Sequence, residues 1–96
     1  MVLEIADFTV QQGTEEQFAH AVREGLRYAS ETPGFRHARL TRSAETPTRF
    51  VLLIEWDTIE AHTVGFRQSE NFVRWRKLIS PYFAGDPRVE HFADVV

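Results

Sequence analysis

The stretch EWDTIEAHTVGFRQSENFVRW, Glu55 to Trp75, sets one imidazole among several aromatic rings. At helical spacing His62 falls between Ile59 and Phe66, on a stripe that should face a core. Imidazole has a free pKa of about 6.5, and desolvation against apolar neighbours lowers it, leaving a neutral base. The competing role is structural, a buried histidine bonded to a strand carbonyl. Trp56, Phe66, Phe72, Trp75 and Tyr82 gather around the same region, and such a group either fills a core or lines a cavity for a flat ligand. Phe72, Trp75 and Ile79 share one helical face. Arg76 lies at its margin, where its guanidinium either snorkels to water or neutralises an oxyanion.

The remaining histidines carry less. His20 is two positions from Phe18 and nearly opposite the apolar face of its helix, which predicts exposure. His37 and His91 fall in strands, and with Asp7 and Glu55 they can in principle converge on a metal. No H-x-x-x-H or H-E-x-x-H pair specifies such a site, so no metal is expected. The chain has no cysteine, which excludes disulfides, thiolate catalysis and iron-sulfur clusters.

Charge is near balance, with 11 Lys+Arg against 14 Asp+Glu and no single-sign block. Neither nucleic acid nor an acidic membrane surface is an expected partner. No stretch approaches a membrane span, and no basic segment precedes an apolar run at the N-terminus, which reads as a cytoplasmic protein. The 96 residues read as one domain, 1–96, without repeats, linkers or low-complexity tracts.

These residues need elements to hold them. Val2 to Val10 is rich in β-branched and aromatic residues and stops at Gln11-Gln12-Gly13, a strand and turn. Thr14 with Gln17 has the form of a capping box, after which Phe18, Val22, Gly25 and Ala29 recur at helical spacing. Thr32-Pro33-Gly34 ends that helix. Phe35 to Ser43 is a weaker strand, and Ala44 to Thr48 joins it to Arg49–Asp57, the strongest strand of the chain. Thr58 can cap a helix carrying His62, and Ser69 a second one running to about Ile79, with Gly65 helping to separate them. Pro81, Gly85 and Pro87 mark a loop before a closing strand, Val89 to Val95. The order β-α-β-β-α-β predicts a ferredoxin-like α+β subunit, an antiparallel sheet with helices on one face.

Phe50, Val51, Leu52, Leu53 and Ile54 are apolar without interruption, whereas a half-exposed strand should alternate. Both faces of this strand therefore want burial, and the helices cover only one. A twofold homodimer packed sheet to sheet meets the need.

Thr32-Pro33-Gly34-Phe35 after the first helix, Glu55-Trp56 closing the third strand, Glu60-Ala61-His62, and Ser69-Glu70-Asn71-Phe72 together resemble the antibiotic biosynthesis monooxygenase domain family. The likeness runs over essentially the whole chain. It implies a dimeric α+β barrel with one cavity per subunit between sheet and helices. In relatives such cavities hold flat aromatic substrates, quinols or polyketide phenols, and oxidise them with O2 without flavin or metal. On that resemblance His62 becomes the catalytic base, and Trp56, Phe66, Phe72, Trp75 and Arg76 the substrate-binding residues, with no cofactor. Deprotonating a quinol gives an electron-rich anion able to pass an electron to O2.

A heme-degrading branch of the same superfamily resembles a triad of Asn on the first strand, Trp on the later helices and a His ligand beyond. This chain has Ala6, Phe66 and Arg76 there, which disfavours it. A one-residue slip would bring Trp75 near the ligand position, and tryptophan does not ligate iron. The runner-up reading is a non-catalytic binder of small aromatic metabolites or a barrel kept as an assembly module.

Overall fold

The computed structural model describes residues 1–96. Four strands, β1 (Val2–Thr9), β2 (Phe35–Arg42), β3 (Arg49–Trp56) and β4 (Arg88–Phe92), form one antiparallel sheet in the order β2-β3-β1-β4. Two α-helices, α1 (Glu15–Ser30) and α2 (Glu70–Ile79), cover one face, which is the ferredoxin-like arrangement. No helix is long and apolar enough to cross a membrane.

Side chains of a strand alternate between faces. On the helix side, β1 buries Val2, Glu4, Ala6 and Phe8, and β3 buries Phe50, Leu52, Ile54 and Trp56. The opposite parity, Leu3, Ile5, Val51 and Leu53, is half-buried on the open face, so the unbroken apolar run of β3 does serve both sides. Polar groups surround this patch, including the Arg49–Asp7 ion pair at 2.7 Å.

The covered face has two aromatic ends. At one, Phe18 meets Phe50 at 5.0 Å and Phe8 at 5.3 Å between ring centroids, and Phe83 stacks on Phe8. At the other, Trp56 is enclosed by Phe35, His62 and Phe66. Helix α1 lies close to α2 because Gly25 has no side chain. A Cβ there would sit 2.6 Å from Cε3 of the Trp75 ring. Gly25→Ala should therefore displace a buried indole and cost about 1–3 kcal/mol, typical of overpacking. A urea titration reads the loss directly. Gly34 explains the turn after α1, since its φ of 94° belongs to glycine and a Cβ would meet that of Ala61 at 2.7 Å.

Several local expectations differ from the fold. The segment carrying His62 is a π-helical turn, Ala61–Phe66, with Arg67 N–H donating to the His62 carbonyl five residues back. This wider turn keeps His62 and Phe66 buried together and leaves Ile59 44% exposed, off the core stripe. Gly65 lies inside that turn, and the break to α2 comes later, at Ser69, whose hydroxyl accepts from Phe72 N–H. Thr58 does cap the turn, accepting from Ala61 N–H. Thr14 forms no capping box with Gln17; its hydroxyl donates to the Gln11 carbonyl, closing the preceding turn. The last strand is Arg88–Phe92 rather than Val89–Val95, because its pairing with β1 ends at Leu3 opposite Phe92.

Candidate functional site

Between the sheet and the helical layer lies a cavity of about 470 Å³. Ala6, Phe8, Leu52 and Ile54 form its sheet wall, and Phe66, Phe72, Trp75 and Ile79 its helical wall. Pro87 and Val89 close the β4 side. Glu4 and His62 reach it from one end, and Arg67 and Arg76, both exposed, are its two cations. Arg76 also lies over the Phe83 ring, 5.7 Å from its centroid.

Of the residues singled out from sequence, His62, Phe66, Phe72, Trp75 and Arg76 line this space together. Trp56 does not. It is fully buried behind His62, stacked on the imidazole at 5.3 Å and 18° between planes. Tyr82 faces a separate groove along α1, and His20 is exposed there as anticipated. His37, Glu55 and Asp7 fail to converge with His91: the first three have the open-face parity, and His91 pairs across the sheet with Glu4 on the covered face. The alternation of strand side chains separates them.

His62 is not bonded to a strand carbonyl. Its Nδ1 lies 2.8 Å from His91 Nε2, and its Nε2 lies 3.4 Å from Glu4 Oε1. Trp56 Nε1–H donates to the same Glu4 oxygen at 2.9 Å. Glu4 and Arg67 were not singled out from the sequence, while His91 was weighed there only as a metal ligand and Trp56 only as a substrate contact. A signal for Glu4 was present: it is the one charged residue at the buried parity of β1, among Val2, Ala6 and Phe8.

Burial pushes the Glu4 carboxyl up to about 6, against the opposing pull of the Trp56 hydrogen bond and the Arg67 charge. Burial also pushes the His62 imidazole down to about 3, and the charges of Arg67 and His91 act in the same direction. His91 is lowered too, by burial and then by Arg67. Near neutral pH Glu4 is thus largely ionised and His62 neutral. A carboxylate can only accept, so the His62 proton sits on Nε2 facing it, and Nδ1 accepts from His91 Nε2–H. Nδ1 of His62 is thus hydrogen-bonded within the protein, whereas Nε2 stands 3.4 Å from the carboxylate at ion-pair distance.

These shifts act on stability with opposite signs. The folded Glu4 holds its proton to higher pH than the unfolded one, so its contribution is intact below 4.5 and is lost as pH rises through about 6. The depressed His62 works the other way, losing stability as pH falls from 6.5 toward about 3. Glu4→Gln removes the first slope alone. Relative to the wild type, the variant should gain roughly 2 kcal/mol between the acid and neutral ends of that Glu4 window. Chemical denaturation of both proteins at closely spaced pH values checks it.

The fold is shared with known proteins. A family model for antibiotic biosynthesis monooxygenase matches residues 1–78. YczJ of Bacillus subtilis, an uncharacterized protein, is 36% identical over 95 residues, spanning 99% of this chain and 100% of that one. A solved structure from Bordetella bronchiseptica, described as a candidate antibiotic biosynthesis monooxygenase, superposes with a TM-score of 0.95 at 38% identity, covering 99% of this chain and 97% of that one. SnoaB, a cofactor-independent oxygenase from Streptomyces nogalater, shares the fold with a TM-score of 0.80 at 19% identity, covering 97% of this chain and 91% of that one. The chain belongs to the antibiotic biosynthesis monooxygenase family.

Heme does not fit the donors present. His62, the imidazole on the cavity wall, has Nδ1 bonded to His91 and its proton on Nε2 toward Glu4, and Ala6 and Arg76 supply no ligand.

Proposed function

We propose that the protein is a cofactor-independent monooxygenase that oxidises a small aromatic quinol or polyketide phenol with O2. The observation that carries this reading is the cavity itself. Aromatic and aliphatic walls suit a flat ring system, and a buried carboxylate and imidazole stand at one end. Arg67 and Arg76 supply positive charge for the phenolate that deprotonation leaves behind. Phe66, Phe72, Trp75 and Arg76 hold the substrate, Trp56 backs the imidazole, and His62 belongs to the acid–base machinery. Residues 1–96 act as one domain, since β4 brings His91 to the network from beyond the matched segment. Two subunits pair through their open sheet faces, and the protein works in the cytoplasm.

Oxygen-electrode assays on naphthoquinols and anthrones test the reading. Oxygen uptake should depend on the protein and on the phenol together. Saturable binding without oxygen uptake would instead identify a binder of aromatic metabolites, and neither binding nor uptake across the panel would remove the aromatic-substrate reading.

A further inference from the structure

We infer that Glu4 is the group that takes the substrate proton in the cavity, and that His62 and His91 are positioning residues for it. This rests on the aromatic-substrate reading above for the nature of the proton donor, and on the geometry and charge of the site for the assignment of roles.

A base must offer a lone pair to the substrate. His62 has none to offer while Nε2 carries its proton: Nδ1 is hydrogen-bonded to His91 at 2.8 Å, and Nε2 lies 3.4 Å from the Glu4 carboxylate, whose charge favours the proton on that nitrogen. Glu4 is the one carboxylate on the cavity wall. Its Oε1 is held by Trp56 and lies against His62, whereas no protein donor reaches Oε2. Since no buried side-chain polar atom lacks a partner, Oε2 is accessible, and the space that Glu4 borders is the cavity. The carboxylate is thus fixed on one oxygen and open on the other.

Three elements fix it. Glu4 stands on β1, opposite Ile54 of β3 and His91 of β4. Trp56 at the end of β3 donates from one side, and the π-helical turn brings His62 across the gap between Glu4 and His91. Arg67, which follows the turn, is the charged group that bears on all three titratable members, and Arg76 lies farther along the same wall. The burial that raises the Glu4 carboxyl toward neutrality makes it a stronger base than a solvated carboxylate.

The proton step is balanced within the site. The phenolic O–H bond breaks, its electron pair stays on the substrate oxygen as phenolate, and the proton bonds to Oε2, leaving Glu4 neutral. The loss of carboxylate charge is matched by the gain of phenolate charge beside Arg67 and Arg76. Electron transfer from the phenolate to O2 follows, and the Glu4 proton is available to the reduced oxygen.

The roles separate by experiment. Glu4→Gln keeps an oxygen that accepts from Trp56 but removes the base, and should lower kcat about 10²–10⁴-fold. It should also abolish ionisation of a bound chromogenic nitrophenol, read by absorbance without O2. His62→Gln and His91→Gln should retain nitrophenol ionisation and move the pH midpoint of the kcat profile, which a merely structural role would leave in place. Nitrophenol ionisation that survives in Glu4→Gln, or is lost in His62→Gln with the fold intact, would overturn the assignment.

A substrate-free measurement keeps the inference testable if no phenol binds. In infrared difference titrations, a carboxylic-acid carbonyl band absent from Glu4→Gln should titrate near pH 6. Nitrogen-15 spectra of labelled histidine should find the His62 proton on Nε2. A Glu4 that titrates with ordinary carboxylates, or a His62 whose Nε2 carries no proton, defeats the inference whatever the substrate. Failure to bind any phenol, with both spectra as expected, defeats only the reading of substrate class.

Discussion

Trp56→Ala is expected to bring the protein to the edge of unfolding. The indole is fully buried, faces the rings of Phe35, His62 and Phe66, and supplies the hydrogen bond to Glu4. Truncating a buried aromatic to alanine costs about 3–5 kcal/mol through lost burial and the cavity left behind. A charged acceptor deprived of its donor adds about 1–3 kcal/mol. Domain stabilities run about 5–15 kcal/mol, so the two losses together remove much of the total. Trp56→Phe divides them. It keeps most of the packing and deletes the N–H, so its loss should fall within the smaller range while the Glu4 carboxyl moves further up. Urea melts of the two variants, with the Glu4 carbonyl band as the second readout, distinguish packing from hydrogen bonding. Equal losses in both would mean that the indole N–H matters more than its ring.

The second large effect concerns association. Leu53 is central on the open face, opposite Ile5 of β1 and Arg39 of β2. In a sheet-to-sheet homodimer, Leu53→Arg introduces an unpaired cation on each side of a twofold interface. At roughly 2 kcal/mol per copy, the two copies weaken the dimer about 10³-fold. Leu53 is only half-buried in the isolated subunit, so the fold should survive. Size exclusion with light scattering at micromolar concentration should give a dimer for the wild type and a folded monomer for the variant. A wild-type monomer would remove the interface.

The sequence declared its architecture through features that have one physical solution. Thr32-Pro33-Gly34 had to end a helix, and Gly34 does so at positive φ with its α-hydrogen side against Ala61. Ser69 could cap and does, and the apolar run of β3 places side chains on both faces of the sheet. The site was legible only in part. His62, Phe66, Phe72, Trp75 and Arg76 could be grouped because they lie within one stretch, where helical spacing relates them. Glu4 and His91 could not be tied to it by spacing, because strand pairing across the sheet brings them together. The parity of Glu4 marked it as buried without saying what held it. The π-helical turn was hidden for a different reason. Spacings of three and four fit both kinds of turn, and the five-residue hydrogen bond that distinguishes them leaves no mark on residue type.

The edge position of β4 gives the cavity a weakest wall. This strand of five residues is bonded to β1 on one side and to no strand on the other, yet Val89 lines the cavity and His91 completes the polar network. Local openings in proteins begin where few hydrogen bonds must break together. Amides of β4 should therefore exchange with solvent deuterium ahead of those in β1 and β3. Parting of β4 from β1 would move Val89 off the cavity wall and detach His91 from His62 together. Loosening of this wall and disassembly of the network around Glu4 would then be a single fluctuation.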